Sequence, residues 1–537
     1  AGTDLRYGLT SNITLQATIN PDFGQVDADP AVLNLSVFEQ FFEERRPFFV
    51  EGGQIYNTPI QLFYSRRIGR RPNYYSTPSG ASDLDHPDFT TIMAASKITG
   101  KTQKKTTFGL LNAVTGSENT RIDQNGSISD FKVEPLTNYL VGRLQQDLRN
   151  GNTQLGFLGT AVNRQGGRDA YTGGLDWTHK MKNNLYWITG QVAGTSTGRT
   201  TNQKGYGLDL RFARRDGWLR GNVSLNALSP GFNANDLGFT RRSDRINNNV
   251  DLNIVRIKPT GPSLQMNYWL SYRNTWNYDR LHLQQSIDLG TFHQLRNFWF
   301  VNAGITRQLE TLNDLDTRGG PPIVNPAGWQ YFGGLSTDQS KRVYASLFTG
   351  WGSNEAGSTN RNINPRLTIR PSSRIELRFS PRYSWNHDDA QFVTHDNTGP
   401  QTRYVYGELD TKVLDMTTRA DVLFSRDISL QFYIQPFIAV GDYDDTAFKS
   451  LAAPSTYSFT PFNGLGFNPD FNSRSLRSNL VFRWEYRPGS TLYLVWSQSR
   501  SAFSNDPTFR PFRSVGSTFS DDGPNIFMVK FNYFLNI

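Results

Sequence analysis

The stretch Gly205-Tyr-Gly-Leu-Asp-Leu-Arg-Phe-Ala-Arg214 decides the fold that we predict for this chain. Apolar and polar side chains alternate along it, and neighbouring side chains of a β-strand point to opposite faces. Arg215-Asp216-Gly217 follows, with the glycine that a tight hairpin turn requires. A second alternating stretch, residues 219–227, comes directly after the turn. The pattern therefore predicts two antiparallel strands, each with one apolar and one polar face.

The same alternation recurs along the whole chain, for example in residues 264–272, 375–383 and 476–486. Each alternating segment is about 9 to 13 residues long, which is the length of a tilted strand that crosses a membrane. A soluble β-sandwich or propeller is the alternative, but its strands are shorter and propeller blades repeat every ~40–50 residues. We find no such repeat in the sequence.

The connections between these segments alternate between short turns and long polar loops. Short turns include 149–152, 215–217 and 488–490, and long loops fall near 116–135, 229–244, 310–328, 386–401, 444–472 and 501–523. Such alternation is typical of an outer-membrane barrel, in which the sheet must close because lipid cannot hydrogen bond to backbone groups. We therefore predict an all-β protein: residues 1–537 form one large antiparallel transmembrane β-barrel of about 22–24 strands. Our count is nearest 23. Because closed bacterial barrels have even numbers, we expect either one further strand upstream of Ala1 or an error of one in the count.

The polar face of this sheet carries arginines that a hydrated lumen would tolerate. We predict that Arg211, Arg220, Arg378 and Arg382 face the lumen. The last predicted strand, Ile526–Leu535, resembles the C-terminal signal read by the outer-membrane assembly machinery. The expected partners are therefore that machinery, outer-membrane lipid and lipopolysaccharide. The net charge of +9 is spread along the chain without a basic run, so we expect no nucleic acid.

Residues 20–90 break the alternation and form a predicted insertion within the barrel. We expect a short helix to begin at Ser36, and the segment mixes phenylalanines with both signs of charge. A barrel of more than 20 strands has a wide lumen, so we predict that the insertion folds inward as a plug or constriction. Six of its residues are predicted to hold the plug and to set the charge of the lumen: Glu43, Arg45, Arg46, Glu51, Arg66 and Arg67. An extracellular loop that covers the mouth is the alternative.

The carboxylates of the insertion, which include Asp22 and Asp27, also admit a glycoside hydrolase, because such enzymes use a pair of facing carboxylates. The many neighbouring arginines favour ion pairs instead. The six histidines lack metal-ligand spacing and the chain has no cysteine. We therefore predict no catalytic residues, no metal site and no cofactor, and consider an enzyme the less favoured interpretation.

Three segments of the insertion carry a family resemblance: 20–30 (NPDFGQVDADP), 41–52 (FFEERRPFFVEG) and 62–69 (LFYSRRIG). They resemble the C-terminal outer-membrane β-barrel domain (domain of unknown function 5916) of bacterial carbohydrate-binding family 9 domain-containing proteins. The resemblance extends over essentially the whole chain, including Ala95–Gly100 and Gly173–Trp177. It implies a periplasmic carbohydrate-binding-like domain before the barrel, and hence an oligosaccharide as a possible partner.

These patterns lead to one favoured function and two alternatives. We expect a channel, or a gated transporter or presenter, of a polymer-derived solute such as an oligosaccharide, located in the bacterial outer membrane. The alternatives are a cell-surface hydrolase of glycan or lipid, and a scaffold or secretion-complex barrel with no solute of its own.

Overall fold

The computed structural model of the chain describes residues 2–21, 29–197 and 203–533. Strand makes up 61% and helix 4% of it, and the main feature is a large antiparallel sheet of 25 strands. The predicted all-β class is therefore confirmed. Asp22, Asp27 and Leu535, which the sequence analysis used, lie outside the described residues.

The chain divides into two compact units. The first comprises 1–23, 41–250 and 275–280, and the second comprises 24–40, 251–274 and 281–537. Two strands contribute residues to both units. The strands up to that point are β1 Thr3–Thr10, β2 Ile13–Ile19, β3 Ser82–Asp83, β4 Ile92–Lys101, β5 Thr106–Thr115, β6 Glu118–Gln124, β7 Ser127–Glu134, β8 Thr137–Leu148, β9 Thr153–Arg164, β10 Ala170–Met181, β11 Tyr186–Thr197, β12 Gln203–Arg214, β13 Leu219–Leu228, β14 Arg245–Arg256 and β15 Ser263–Trp276.

In the first unit the sheet is an up-and-down meander. Each strand pairs antiparallel with the next in the order β1, β2, β4, β5, β8, β9, β10, β11, β12 and β13. The insertion, residues 20–91, separates β2 from β4, and β6 and β7 form a hairpin between β5 and β8. Helix is confined here to short pieces: α1 Pro47–Val50 and the 3₁₀ turns Gly53–Tyr56, Ser65–Arg67 and Arg149–Gly151.

The second unit contains the longest strands. Their bounds are β16 His282–Leu295, β17 Phe300–Gln308, β18 Thr311–Asn313, β19 Ile323–Asn325, β20 Gly328–Ser336, β21 Val343–Asn354, β22 Thr359–Ser372, β23 Ile375–Asp396, β24 Arg403–Leu423, β25 Ile428–Tyr443, β26 Lys449–Leu451, β27 Phe459–Pro461, β28 Phe471–Arg487, β29 Ser490–Ser504 and β30 Asn525–Asn532, with one helix, α2 Pro511–Thr518. Successive long strands again pair antiparallel from β16 to β30, which gives a second meander.

The number of strands agrees with the sequence analysis. Of the 25 strands that the described residues contribute to the sheet, β26 and β27 are only three residues long, which leaves 23 strands of seven residues or more. The hairpin turn at Arg215-Asp216-Gly217 joins β12 to β13 as predicted, and Gly217 has a φ of 89°. Closure of the sheet into a barrel stays a prediction and is taken up under the proposed function.

In the first unit one face of the sheet exposes a continuous row of apolar side chains. Phe157 of β9 pairs with Leu144 of β8 and with Leu175 of β10, which in turn pairs with Val192 of β11. These four side chains are between 44% and 56% exposed. Soluble monomers rarely expose contiguous apolar patches of more than a few hundred Å², and larger ones mark surfaces that interact with another protein or with a membrane.

The second unit has a corresponding apolar face. Leu335 of β20 lies opposite Leu347 of β21, and Tyr331 stacks on Trp351 with ring centroids 5.2 Å apart. All four side chains are exposed. The neighbouring positions on β21, such as Ser346, point to the other face, so the alternation seen in the sequence corresponds to two chemically different sides of the sheet.

Two details differ from the sequence analysis. The predicted loop 116–135 is largely the hairpin β6–β7, which turns at Asn125-Gly126 with positive φ at both residues. Asn-Gly between alternating residues is a strong hairpin signal, and the sequence analysis missed it. The predicted helix at Ser36 was wrong, because the Asn34 side chain accepts hydrogen bonds from the backbone N–H and hydroxyl of Ser36 and holds a turn instead.

None of the helices among the described residues is long and apolar enough to cross a membrane.

Candidate functional site: the insertion and the polar face

Residues 41–71 of the insertion, hereafter the inner segment, pack against the polar face of the sheet in the first unit. Phe49, Tyr56, Ile60, Leu62 and Ile68 are almost completely buried there. They share a core with apolar side chains of the strands beneath: Leu111, Ala113, Val141, Leu158, Val162 and Ala193.

This core corrects one expectation of the sequence analysis. The face opposite the exposed apolar row was expected to be polar throughout, yet Leu111, Val141 and Leu158 on that face are buried apolar residues. Parts of β5, β8 and β9 are therefore apolar on both sides. The inner segment supplies the second apolar surface, and burial of each such side chain stabilises the packing by roughly 1.5–3 kcal/mol.

Glycines in the strands allow the inner segment to approach the sheet closely. A Cβ atom at Gly109 would lie 2.4 Å from Cδ1 of Ile55, and one at Gly174 would lie 2.8 Å from Cδ1 of Leu62. A larger residue at either position would force these side chains of the inner segment to shift. The two glycines thus leave the room in which Ile55 and Leu62 pack against the sheet.

An ion pair inside the inner segment joins two of its turns. Arg46 donates to both carboxylate oxygens of Glu44, at 2.9 and 2.7 Å, and also donates to the carbonyl oxygens of Ser65 and Ile68. The Ser65 hydroxyl donates to the same carboxylate at 2.6 Å. Burial alone would raise the pKa of Glu44, but the hydrogen bonds and positive charge of Arg46, with the Ser65 hydrogen bond, hold it below its usual value.

Glu51 and Lys97 join the end of α1 to the first strands. The Glu51 carboxylate accepts a hydrogen bond from Gln16 of β2 and lies 3.2 Å from the Arg6 guanidinium of β1. Lys97 of β4 is 1% exposed and donates to the backbone carbonyls of Phe48 and Glu51. A buried ammonium is costly unless it is hydrogen bonded, so Lys97 depends on the inner segment for its partners.

Arg143 and Gln191 anchor the middle of the inner segment. Arg143 of β8 forms a bidentate ion pair with Asp176 of β10 and donates through Nε to the carbonyl of Ile55 at 3.0 Å. Gln191 of β11 is fully buried and accepts from the backbone N–H of Ile60 at 2.6 Å. The sequence analysis missed these anchors. In the sequence, each anchor is a charged or amide residue among small or apolar residues on the same face of its strand.

The six residues predicted to form the plug have different environments. Arg46 and Glu51 make the contacts described above. Arg67 is 6% exposed and donates to the carbonyl of Gly238. The other three make contacts within the segment: Arg66 donates to the carbonyl of Glu43, and Arg45 donates its backbone N–H to Glu44. Their role as a constriction stays a prediction.

The four arginines predicted to face a lumen lie on the polar face. Arg211 and Arg220 are on the first unit, opposite the side that exposes Phe212 and Val223. Arg378 and Arg382 are on β23 of the second unit. The residues on either side of Arg378, Leu377 and Phe379, are exposed on the other face of the sheet. Whether this face surrounds a lumen stays a prediction.

Arg378 and Arg382 belong to a larger group that the sequence analysis did not assemble. Together with Arg366 of β22 and Arg419 of β24 they line a cavity of about 550 Å³. One carboxylate, Asp415, also lines it, and that group accepts hydrogen bonds from Thr417 and Gln435. The cavity is therefore strongly cationic, and we call these four arginines the arginine cluster.

Within residues 2–21, 29–197 and 203–533, no group of three or more histidine or acidic side chains is arranged to hold a metal ion.

The chain is an all-β protein built from long antiparallel strands that form a sheet with two chemically distinct faces. A model of the family described as Domain of unknown function (DUF5916) matches residues 1–537, and the chain belongs to that family. Comparison with curated proteins found no match.

We expect acid to loosen the inner segment. The pKa of Glu44 is lowered in the folded state, so the stability it contributes is present above its usual value, near 4.3, and is lost as the pH falls through the lowered value. Hydrogen–deuterium exchange of peptides from residues 41–71, corrected for intrinsic rates, should show protection at pH 7 that disappears in this acidic range.

The matched control is Glu44→Gln, which keeps the shape but cannot titrate. Removal of one partner of a buried ion pair costs ~3–5 kcal/mol, so this variant should exchange faster already at pH 7 and should lack the acid-dependent step. The same acid-dependent step in wild type and variant would assign it to another group.

Proposed function

We propose that the chain is an outer-membrane β-barrel that acts as a channel or gated transporter for a polymer-derived solute such as an oligosaccharide. Its strands span the membrane, the exposed apolar face contacts lipid, and the polar face lines the lumen. The inner segment occupies part of that lumen and narrows it.

The observation that carries the proposal is the difference between the two faces of one sheet. Leu175, Phe157 and their neighbours would be unfavourably exposed in water, but they match a hydrocarbon environment. The strands of the first unit that carry them, β8 to β12, are 12 residues each, long enough to cross the ~25 Å apolar band of an outer membrane when tilted. A lipid-exposed sheet must leave no edge unpaired, which supports closure.

The way the inner segment packs favours a narrowed channel over a fully open one. It lies on the face that carries Arg143, Lys97 and Gln191, and it is held by both an apolar core and buried hydrogen bonds. An insertion bound in this way limits passage until it moves. The alternative hydrolase gains no support from the inner segment, because Glu44 and Glu51 are engaged with cationic partners.

A lysine on the apolar face should destabilise the protein in a bilayer. Leu252 of β14 is 46% exposed on that face, and the adjacent Asn253 points to the polar face. We expect Leu252→Lys to cost ~2–4 kcal/mol near the middle of the membrane and Asn253→Lys to cost much less. Urea titration of folding into phosphatidylcholine vesicles measures both, and equal costs would contradict a lipid-facing apolar side.

Removal of the inner segment should widen the pore. We expect replacement of residues 41–71 by a short glycine–serine linker to raise the single-channel conductance in planar bilayers several-fold. Shortening of the β6–β7 hairpin at residues 121–130 is the control and should leave conductance unchanged. If the deletion inserts into the bilayer normally and conducts like wild type, the inner segment is not a constriction.

A second variant tests the constriction even if the deletion variant does not fold. Glu44→Gln loosens the segment without removing it, and we expect more frequent transitions to a larger conductance. A channel that is silent in wild type and in both variants would contradict the transport function itself.

A further inference from the structure

We propose that the polar face of the second unit carries a binding track for an anionic oligosaccharide, formed by a row of three aromatic rings and the arginine cluster. The inference rests on the proposed function and names the class of solute. It is carried by the geometry of the rings and by the unpaired guanidinium groups of Arg366 and Arg382, in the same unit of the chain.

The row consists of Trp269 of β15, Phe332 of β20 and Phe348 of β21. The centroids of Trp269 and Phe332 are 6.3 Å apart with an interplanar angle of 10°, and those of Phe332 and Phe348 are 6.0 Å apart with an angle of 26°. Three rings with nearly parallel planes at this spacing form an apolar strip on the polar face. The spacing is of the size of a single sugar unit.

Two of the rings lie over the backbone of neighbouring strands. A Cβ atom at Gly290 would lie 2.0 Å from the Trp269 ring, and one at Gly304 would lie 2.4 Å from the Phe332 ring. Glycine at these positions lets one face of the Trp269 and Phe332 rings rest on the sheet. The opposite face of the ring is then directed away from the sheet, where the C–H face of a pyranose ring can stack on it.

The row ends at the arginine cluster. Phe348, the most exposed of the three rings at 41%, lines the same cavity as Arg366, Arg378, Arg382 and Arg419. Ser346, two residues before Phe348 on the same face, lies directly opposite Arg366. A sugar stacked on Phe348 would therefore place its substituents among guanidinium groups.

The charges in the cavity are not balanced. Arg378 pairs with Glu376, and Arg419 lies 4.5 Å above the Tyr433 ring. The side chains of Arg366 and Arg382 make no hydrogen bond or ion pair with any other described residue. In addition, Arg378 and Arg419 lie directly opposite each other on neighbouring strands, so further guanidinium groups stand close to those of Arg366 and Arg382. An oxyanion bound in the cavity would be attracted by this positive charge.

Guanidinium groups recognise planar oxyanions by paired hydrogen bonds. The ligand that fits the site thus combines sugar rings with carboxylate or sulfate groups, as in a uronic-acid or sulfated oligosaccharide. A neutral oligosaccharide would use the aromatic row but would leave the cluster unsatisfied. A free inorganic anion would use the cluster but not the row.

Calorimetric titration of the full chain in detergent tests the track. We expect trigalacturonate to bind, and Arg366→Gln with Arg382→Gln to weaken it roughly tenfold or more, because each charge-assisted hydrogen bond lost is a large contribution. Phe348→Ala should weaken trigalacturonate too. Arg426→Gln, which changes an exposed turn residue outside the cavity, is the matched control and should bind like wild type.

Two further ligands separate the sources of binding. Maltotriose, which is neutral, and sodium sulfate, which lacks a ring, should each bind more weakly than trigalacturonate. Sulfate that binds as tightly, with no effect of Phe348→Ala, would reduce the site to a simple anion site and overturn the proposal. So would failure of trigalacturonate to bind wild type, or unchanged binding by the double arginine variant.

The binding readout does not depend on conduction. If trigalacturonate binds as expected while the protein forms no channel in bilayers, the track stands and the transport function fails. If the protein conducts but does not bind the probe, the track fails and the channel stands.

Discussion

The sheet of this protein has two chemically different faces, one apolar and one mainly polar, and the rest of the structure depends on that separation. Alternate residues of each strand point to opposite sides, so a strand with apolar residues at every second position must have an apolar surface on one side. The pairs Phe157–Leu175 and Leu335–Leu347 extend this surface across neighbouring strands in each unit. A shift of register by one residue would move every one of these side chains to the opposite face.

The inner segment imposes a second requirement on the first unit. Where the inner segment packs, the face of the sheet that is polar elsewhere carries buried apolar residues, such as Val141 and Leu158. Glycines on the same strands permit close contact. Polar anchors lie between them: Lys97 and Arg143 donate to backbone carbonyls of the segment. Lys97 would lose these partners if the segment left the sheet, so release of the segment has an energetic cost.

Much of the fold could be predicted from the sequence because period-two alternation is a local signal. The strands at 205–214, 264–272, 375–383 and 476–486 all lie within observed strands, and the Asp216-Gly217 turn follows from glycine's access to positive φ. Strand ends were less predictable: β23 continues to Asp396, through most of the loop expected at 386–401, since strand pairing beyond the apolar stretch leaves no signal in the composition.

The candidate site was only partly predictable. The charged residues of the insertion could be found because they cluster in sequence, and Glu44, Arg46 and Glu51 do make ion pairs. The strand residues Lys97, Arg143 and Gln191 could not be predicted as part of the site. Their hydrogen-bond partners are backbone groups of the inner segment, which is far away in the sequence. The arginine cluster likewise arises from three strands, and only cross-strand register brings Arg366, Arg378 and Arg419 to one cavity.

The central claim, that one face of the sheet contacts lipid and the other water, can be tested residue by residue along β23. The chain has no cysteine, so single-cysteine variants at positions 375 to 383 can each carry one nitroxide label in a bilayer. The account predicts that collisions with dissolved oxygen peak at 377 and 379, and that collisions with a water-soluble nickel chelate peak at 378, 380 and 382. Equal access of the nickel chelate to both sets of positions would contradict it.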